Sequence, residues 1–559
     1  MKNYYDITPF GATPSKQQLE HFKIGKKAFF HFGVNTFTDF EWGNGSELES
    51  VFNPTDIDVR GWIKGIKAAG FKLAIITAKH HDGFCLWPSK YTEHTIAKSP
   101  YKNGNGDLIR EFTDACHEYG VKAGLYLSPW DRHSSYWGSD AYSDFYANQL
   151  TELLTEYGEL DEIWWDGAGS AETKYDWGKW AYLVRKHQPN AMIFCSMGAA
   201  AYADLRWVGN EAGFAGSTHY ASIDIDSIFR EDVNELNKGK LGGNVYVPAE
   251  VDVSIRPGWF YHEGQDKLVK TPYELDRIWF KSVGSNAIML LNFPPDKRGQ
   301  ILSTDIKNAI ESNRRIEKML SINYIDPFNI TASSSLRPEC EIEKAVLPDD
   351  DLYFVGGKND TEVTIEIDYR NISTCNVLLL GELIQLGERI NSFSLAGING
   401  NDSTILAEGT SVGYLKAVRF PCGSYEKLRL TLCSPIAPIT LRTIALCHYD
   451  EDKSDISSSM SHVNLSKAPG SSVNYSDDGR EVVIQFGGIY SFKTIAFTAK
   501  HASRFEIFAF DGSKFYSIYN GESVNYRAIC NLEKPIEGSY QIKICSQKGF
   551  AIDPDFFVG

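Results

Sequence analysis

Lys72-Leu73-Ala74-Ile75-Ile76-Thr77-Ala78-Lys79-His80-His81-Asp82-Gly83-Phe84 joins an apolar run to a polar cluster. Leu73 to Thr77 is short, continuous and aliphatic, the pattern of a strand buried on both faces of a parallel sheet. Two histidines, an aspartate and a glycine follow it where such a sheet meets solvent. In α/β barrels that edge is where sites are built. Adjacent strand residues point to opposite faces. His80 and His81 therefore reach one ligand together only if the strand has ended and the backbone bends, and Asp82-Gly83 permits the bend.

Further apolar runs lie on either side. They are Ala28 to Phe32, Ala123 to Leu127, Glu162 to Trp165, Ala191 to Cys195, Asn244 to Val247 and Ala287 to Leu291. Helical periodicity falls between several of them, over Ile109–Tyr119, Tyr146–Tyr157 and Lys179–His187. Strand–helix alternation over about 300 residues predicts a parallel barrel or a doubly wound sheet. No glycine-rich phosphate loop follows the first strand, so the favoured fold is an irregular (β/α)8-like TIM barrel over residues 1–325.

Beyond residue 325 the helical periodicity fades. Short alternating runs such as Val363–Ile367 and Asn376–Leu380, separated by turn pairs such as Asn399-Gly400, predict an antiparallel β-sandwich over 326–450. A polar stretch from Asp450 to Ser461 reads as a linker, and Glu481–Phe486 and Thr494–Phe497 predict a small C-terminal β domain over 451–559.

The chain has 559 residues, too many for one core. Its net charge of −16 argues against nucleic acid or an anionic membrane as partner. No apolar run is long enough for a membrane span, and Met1–Asp6 shows no charged-then-apolar signal pattern. The ten cysteines include no CxxC pair, which argues against a zinc cluster or a small disulfide scaffold. Cys85 and Cys195 are expected buried and reduced.

Four clusters carry chemistry. His80-His81-Asp82 is the first, and His31 stands at the end of the first strand. His31 lacks a second ligand in an HxH pattern, so neutral imidazoles bonding sugar hydroxyls fit better than a metal centre. No metal or other cofactor is expected. The second cluster, Ile163-Trp164-Trp165-Asp166-Gly167, sets a carboxylate at the rim with Trp164 on the same side. Asp166 reads as a catalytic acid or as the cap of the next helix. The third, Arg206-Trp207-Val208-Gly209-Asn210-Glu211, again ends an apolar run with a carboxylate. The fourth runs from Pro248 to His262 and holds Glu250, Asp252, Arg256, Trp259, Phe260 and Tyr261; Arg256 is expected to pair with Glu250 or Asp252. Two carboxylates at strand ends among aromatic residues suit glycoside hydrolysis. A glycosidase for some sugar and a non-catalytic glycan-binding protein both remain open on this ground.

Several of these motifs resemble the α-L-fucosidases of glycoside hydrolase family 29. Phe29-Phe30-His31-Phe32-Gly33 is similar to that family's first-strand motif, although His-Phe-Gly replaces the common His-Trp-Gly. Thr77 to Phe84 is similar to its double-histidine motif, Ile163 to Gly167 to its nucleophile strand, and Met289 to Pro295 to its last strand. The resemblance spans about residues 20–320 and implies an exo-acting, retaining enzyme. Asp166 would be the nucleophile. His31, His80, His81, Tyr126 and Trp164 would hold fucose, with Glu41 of Glu41-Trp42 as a further acid and Glu47 close by.

Arg206 to Glu211, and Ser254 to His262 with Trp259, resemble the subgroup that cleaves branched α-1,3/1,4-linked fucose. Glu211 is thereby implied as acid/base, with Glu250 its rival or an aglycone contact. The implied partner is a fucosylated oligosaccharide of Lewis or milk type. That substrate class implies a periplasmic or secreted protein. The sandwich resembles the galactose-binding-like domains of the family. Oligomeric state is not read from the sequence.

Overall fold

The computed structural model describes residues 7–168, 173–195, 199–230, 232–347, 351–372 and 374–450, and beyond them 463–464, 472–476, 480–500, 502–510, 514–524, 527–546 and 551–558. Met1–Asp450 forms one compact unit and Glu451–Gly559 a second.

The first unit is built on a closed barrel of eight strands: β1 Lys26–Phe30, β2 Leu73–Lys79, β3 Lys122–Leu127, β4 Glu162–Trp165, β5 Met192–Cys195, β6 Leu205–Trp207, β7 Ala249–Ser254 and β8 Ile288–Asn292. Every neighbouring pair is parallel, and β8 closes on β1. Side chains alternate between two cores. Phe29, Leu73, Ile75, Tyr126, Trp164, Phe194 and Leu290 fill the barrel. Ala28, Phe30, Ala74, Ile76 and Leu125 pack outward with helices such as Val59–Ala68, Leu108–Tyr119 and Ala141–Glu156.

Six of the seven runs read as strands are barrel strands. The seventh is not: Val245–Tyr246 pairs antiparallel with Ser222–Ile223 in a small excursion between β6 and β7. The two remaining barrel strands were legible only as site clusters. β6 has three residues, with Arg206 at its centre. β7 inverts the usual pattern: Val251 and Val253 pack outward, while Glu250, Asp252 and Ser254 are its polar residues and all are buried.

The β-sandwich follows. A five-stranded antiparallel sheet (Ile330–Ala332, Glu362–Asp368, Lys427–Cys433, Ser392–Asn399, Asp402–Gly409) faces a three-stranded one (Lys416–Arg419, Val377–Gly381, Thr443–Cys447) over a shared aliphatic core. Glu388 ties it to the barrel by accepting hydrogen bonds from the backbone N–H groups of Ala221 and Ser222 and from Asn286 Nδ2. Residues 451–461 of the expected linker lie outside the described residues. The second unit is an antiparallel sheet that includes Glu481–Lys500, Ala502–Phe510 and Arg527–Ser546. Cys85 is a buried free thiol, and Cys195 is buried.

Candidate active site

The double histidine reaches one place through two local devices. A register slip between Thr77 and Lys79 leaves Ala78 without a partner on β3. Lys79 then meets Asp131 and Gln149 rather than the barrel interior. A turn follows, closed by Gly83 N–H donating to His80 O. Gly83 has φ +83°, and a Cβ there would stand 2.4 Å from Asp131 Oδ1. Only glycine takes that turn without strain. The His80 and His81 rings end 4.1 Å apart, and His31 lies 5.7 Å from His80. Asp82 accepts from Phe84 N and Asn35 Nδ2, and its Oδ2 stands 3.9 Å from His80 Nδ1.

All three imidazoles are buried, and burial holds their pKa values down. His31 and His81 fall to about 4 and His80 well below the ordinary range. They are neutral at neutral pH. Asn292 Nδ2 donates to Trp259 O and Ser254 Oγ, which turns the amide oxygen toward His31 Nδ1 at 2.9 Å. An amide oxygen only accepts, so His31 carries its proton on Nδ1 and keeps a lone pair on Nε2 for a hydroxyl.

Asp166 follows β4 directly. Its Oδ2 accepts from Tyr126 Oη at 3.0 Å and stands 3.8 Å from His81 Nε2, while Oδ1 accepts from Ala168 N. The side chain is 27% exposed. Trp164 stacks on Tyr126 and on Phe194, at 5.4 and 4.0 Å between ring centroids. Phe29 lies against His31, Tyr126 and Trp164, and Phe260 sets its edge toward His31 and His80. Trp42, 41% exposed, sets its edge against His81 and Trp130.

Glu211 lies on the loop after β6 and accepts from Trp259 Nε1 at 3.2 Å. Its carboxyl is pushed up to about 7, chiefly because surrounding protein atoms desolvate it; the charges of Asp166 and Glu41 add to the shift and the Trp259 N–H opposes it. The side chain is nonetheless exposed. A bound sugar that excluded water would push the carboxyl further up. Trp259 also lies 5.0 Å from His31 and so spans the gap between the imidazoles and Glu211.

Glu41 holds that loop in place. It accepts from the backbone N–H of Trp259 and Phe260 and from His262 Nε2, while His262 Nδ1 meets Asp39. Burial pulls the His262 pKa down, but Glu41 and Asp39 outweigh it and leave it raised. A Cβ on Gly258 would stand 2.5 Å from Glu41 Oε1, which explains that glycine. Glu47 braces its own turn through Asn44 N and Gly45 N.

Three expectations need correction. Arg206 is fully buried and donates to the carbonyls of Leu236, Ala221, Tyr220 and Val247. It ties the β6–β7 excursion to the barrel, and all of this places it away from a sugar. Glu250 has no exposed surface; it bonds Lys27 and Trp164 Nε1 inside the barrel and is neither an acid/base nor an aglycone contact. Arg256 pairs with Asp305 and Asp266 rather than with Glu250 or Asp252. Asn292, Phe29 and Phe260 were not singled out as site residues. Asn292 sits in the quoted last-strand motif, but nothing in its identity announces that it orients His31. Among the described residues no group of three His, Cys, Asp or Glu is arranged to hold a metal ion.

The Alpha-L-fucosidase family model matches residues 15–312, which contain every strand of the barrel. Alpha-L-fucosidase 1 of Arabidopsis thaliana is 40% identical over 425 residues, covering 74% of this chain and 82% of that protein. A glycoside hydrolase 29 family member from an unknown rumen bacterium superposes with TM-score 0.73 at 30% identity, covering 99% of this chain and all of that one. A Ruminococcus gnavus GH29 fucosidase in complex with fucose gives TM-score 0.74 at 30% identity, covering 80% of this chain and 96% of that one. The span of the family model and the identity to the Arabidopsis protein show that the chain belongs to the alpha-L-fucosidases of glycoside hydrolase family 29.

Proposed function

We propose that this α-L-fucosidase works by double displacement with retention, Asp166 acting as nucleophile and Glu211 as acid/base. The supporting observation is the setting of Asp166 Oδ2, between the Tyr126 hydroxyl and His81 Nε2. Glu211 is pushed up toward neutrality and can start the cycle protonated. In the first step a carboxylate oxygen of Asp166 bonds to the anomeric carbon as the glycosidic bond breaks, and Glu211 gives its proton to the leaving oxygen. In the second, water attacks that carbon, Glu211 takes the water's proton, and Asp166 leaves.

The substrates we propose are branched α-1,3/1,4-fucosides of Lewis or milk type. The likeness of Arg206 to Glu211 and of Ser254 to His262 to that subgroup supports this, as does the half-buried Trp259 indole beside Glu211, a flat wall suited to a bulky leaving group. Proton NMR of fucose released from a Lewis trisaccharide tests both parts. Retention predicts that the α-anomer appears first, and the linkage reading predicts faster release than from an aryl fucoside. First appearance of the β-anomer would overturn the mechanism, and a preference for the aryl fucoside the substrate class.

A further inference from the structure

Glu250 is a charged residue with no exposed surface and no route to substrate, and yet it touches the pocket wall. Its Oε1 accepts from the Trp164 indole N–H at 2.9 Å, and its Oε2 meets the Lys27 ammonium. Lys27 also bonds Glu162 at 2.5 Å. We propose that Glu250 is a positioning residue for the nucleophile, acting through Trp164 and Tyr126 on Asp166.

The contacts form an unbroken chain. Trp164 is stacked on Phe194, nearly parallel at 7°, and on Tyr126, at 27°. Tyr126 in turn bonds Asp166 Oδ2. An indole so stacked can still occupy its slot flipped edge for edge. The Glu250 bond selects the orientation that places Nε1 toward the barrel interior. Turning the ring would leave a buried N–H unpaired and displace the phenol stacked on it.

Charge is a poor choice for stability alone. Buried ion pairs are often matched or bettered by apolar residues of the same volume. An acceptor that is itself anchored does something apolar packing cannot: it holds one hydrogen bond in a fixed direction. Burial, together with the repulsion from Glu250, pushes Glu162 up to about 8. The Glu250 strand repeats the arrangement at higher levels. Asp252 accepts from Trp207 Nε1 at 3.0 Å, and Ser254 accepts from Asn292, which orients His31.

Glutamine at position 250 makes a clean lesion. Glutamate offers one acceptor to Lys27 and another to Trp164, whereas an amide offers a single oxygen. Its NH2 group must then face either the ammonium or the indole N–H. The inference rests on the proposed role of Asp166, so D166N is run alongside. kcat/KM for fucose release is measured for E250Q, W164F and the double variant, each with a melting temperature.

We expect E250Q and W164F each to lower kcat/KM about ten- to a hundredfold. The double variant should stay within about twofold of the worse single one, because both break the same chain. Losses that multiply, or wild-type kcat/KM in E250Q, would overturn the proposal. E250D repeats the cycle if E250Q does not fold, since it keeps the charge for Lys27 and withdraws the second oxygen from the indole. A D166N enzyme that retains wild-type turnover would instead sink the nucleophile assignment, whatever the cycle shows.

Discussion

Tyr126 Oη donates to Asp166 Oδ2 across 3.0 Å, from a ring that is itself buried and stacked on Trp164. A hydrogen bond to a charged group contributes about 1.5–3 kcal/mol. Y126F removes that donor and little else. The phenylalanine variant should fold normally and lose about ten- to a hundredfold in kcat. Steady-state kinetics with circular dichroism as a fold check measures this, and unchanged kcat would mean that the bond does not serve the reaction.

Glu211 and Glu250 separate under a small nucleophilic anion. E211A should lose most of its turnover on a Lewis trisaccharide, whose leaving oxygen needs a proton, and azide should raise its turnover of an aryl fucoside with a good leaving group by attacking the fucosyl-enzyme at the open position. E250A should not respond to azide. Its lesion is the loss of a buried partner for Lys27 and Trp164, costing about 3–5 kcal/mol of stability. Thermal melts and fucosyl-azide detection read the two effects independently, and azide rescue of E250A would reverse the assignment.

The pH profile follows from the same groups. If Glu211 must start protonated, kcat/KM falls as pH rises through about 7. The buried imidazoles act on stability instead. His31 and His81 titrate at about 4 when folded and near 6.5 when unfolded. Because the folded values are depressed, the unfolded chain binds more protons below pH 6.5. Stability is therefore lost as pH falls from about 6.5 to 4, by roughly 3 kcal/mol for each ring. Denaturant titrations across that interval check this, and a flat profile would contradict neutral, buried rings.

The Glu41–His262 clamp has the opposite sign. The folded pKa of His262 is raised by Glu41 and Asp39, so its contribution is complete at low pH and fades as pH rises through that raised value. E41Q should weaken the loop carrying Trp259 and raise KM for branched substrates more than for a small fucoside. Equal effects on both substrates would argue that Glu41 acts on fucose itself.

The barrel was legible because β1 to β5 and β8 are continuous apolar runs, which only two-sided burial explains. β6 and β7 were hidden by buried charged residues: Arg206, which faces away from the barrel interior, interrupts a three-residue strand, and the inward-facing Glu250 and Asp252 make β7 read as half-exposed. Residue identity placed carboxylates, imidazoles and aromatics in the right neighbourhoods. It could not distinguish a carboxylate open to the pocket from one sealed beneath it, since Glu211 and Glu250 both end apolar runs. Depth along a strand depends on register, and register emerges only when the barrel closes. Asn292 was obscured for a related reason, because its amide matters only through contacts that arrive from β1, β7 and the Trp259 loop.

The most direct test of the account is covalent trapping. A 2-deoxy-2-fluoro-fucosyl fluoride slows the second displacement and lets the glycosyl-enzyme accumulate. Peptide mass spectrometry after inactivation should find one fluorofucosyl group, carried by Asp166. A label on Glu211, Glu250 or any other residue, or hydrolysis without an adduct and with inverted product, would contradict it.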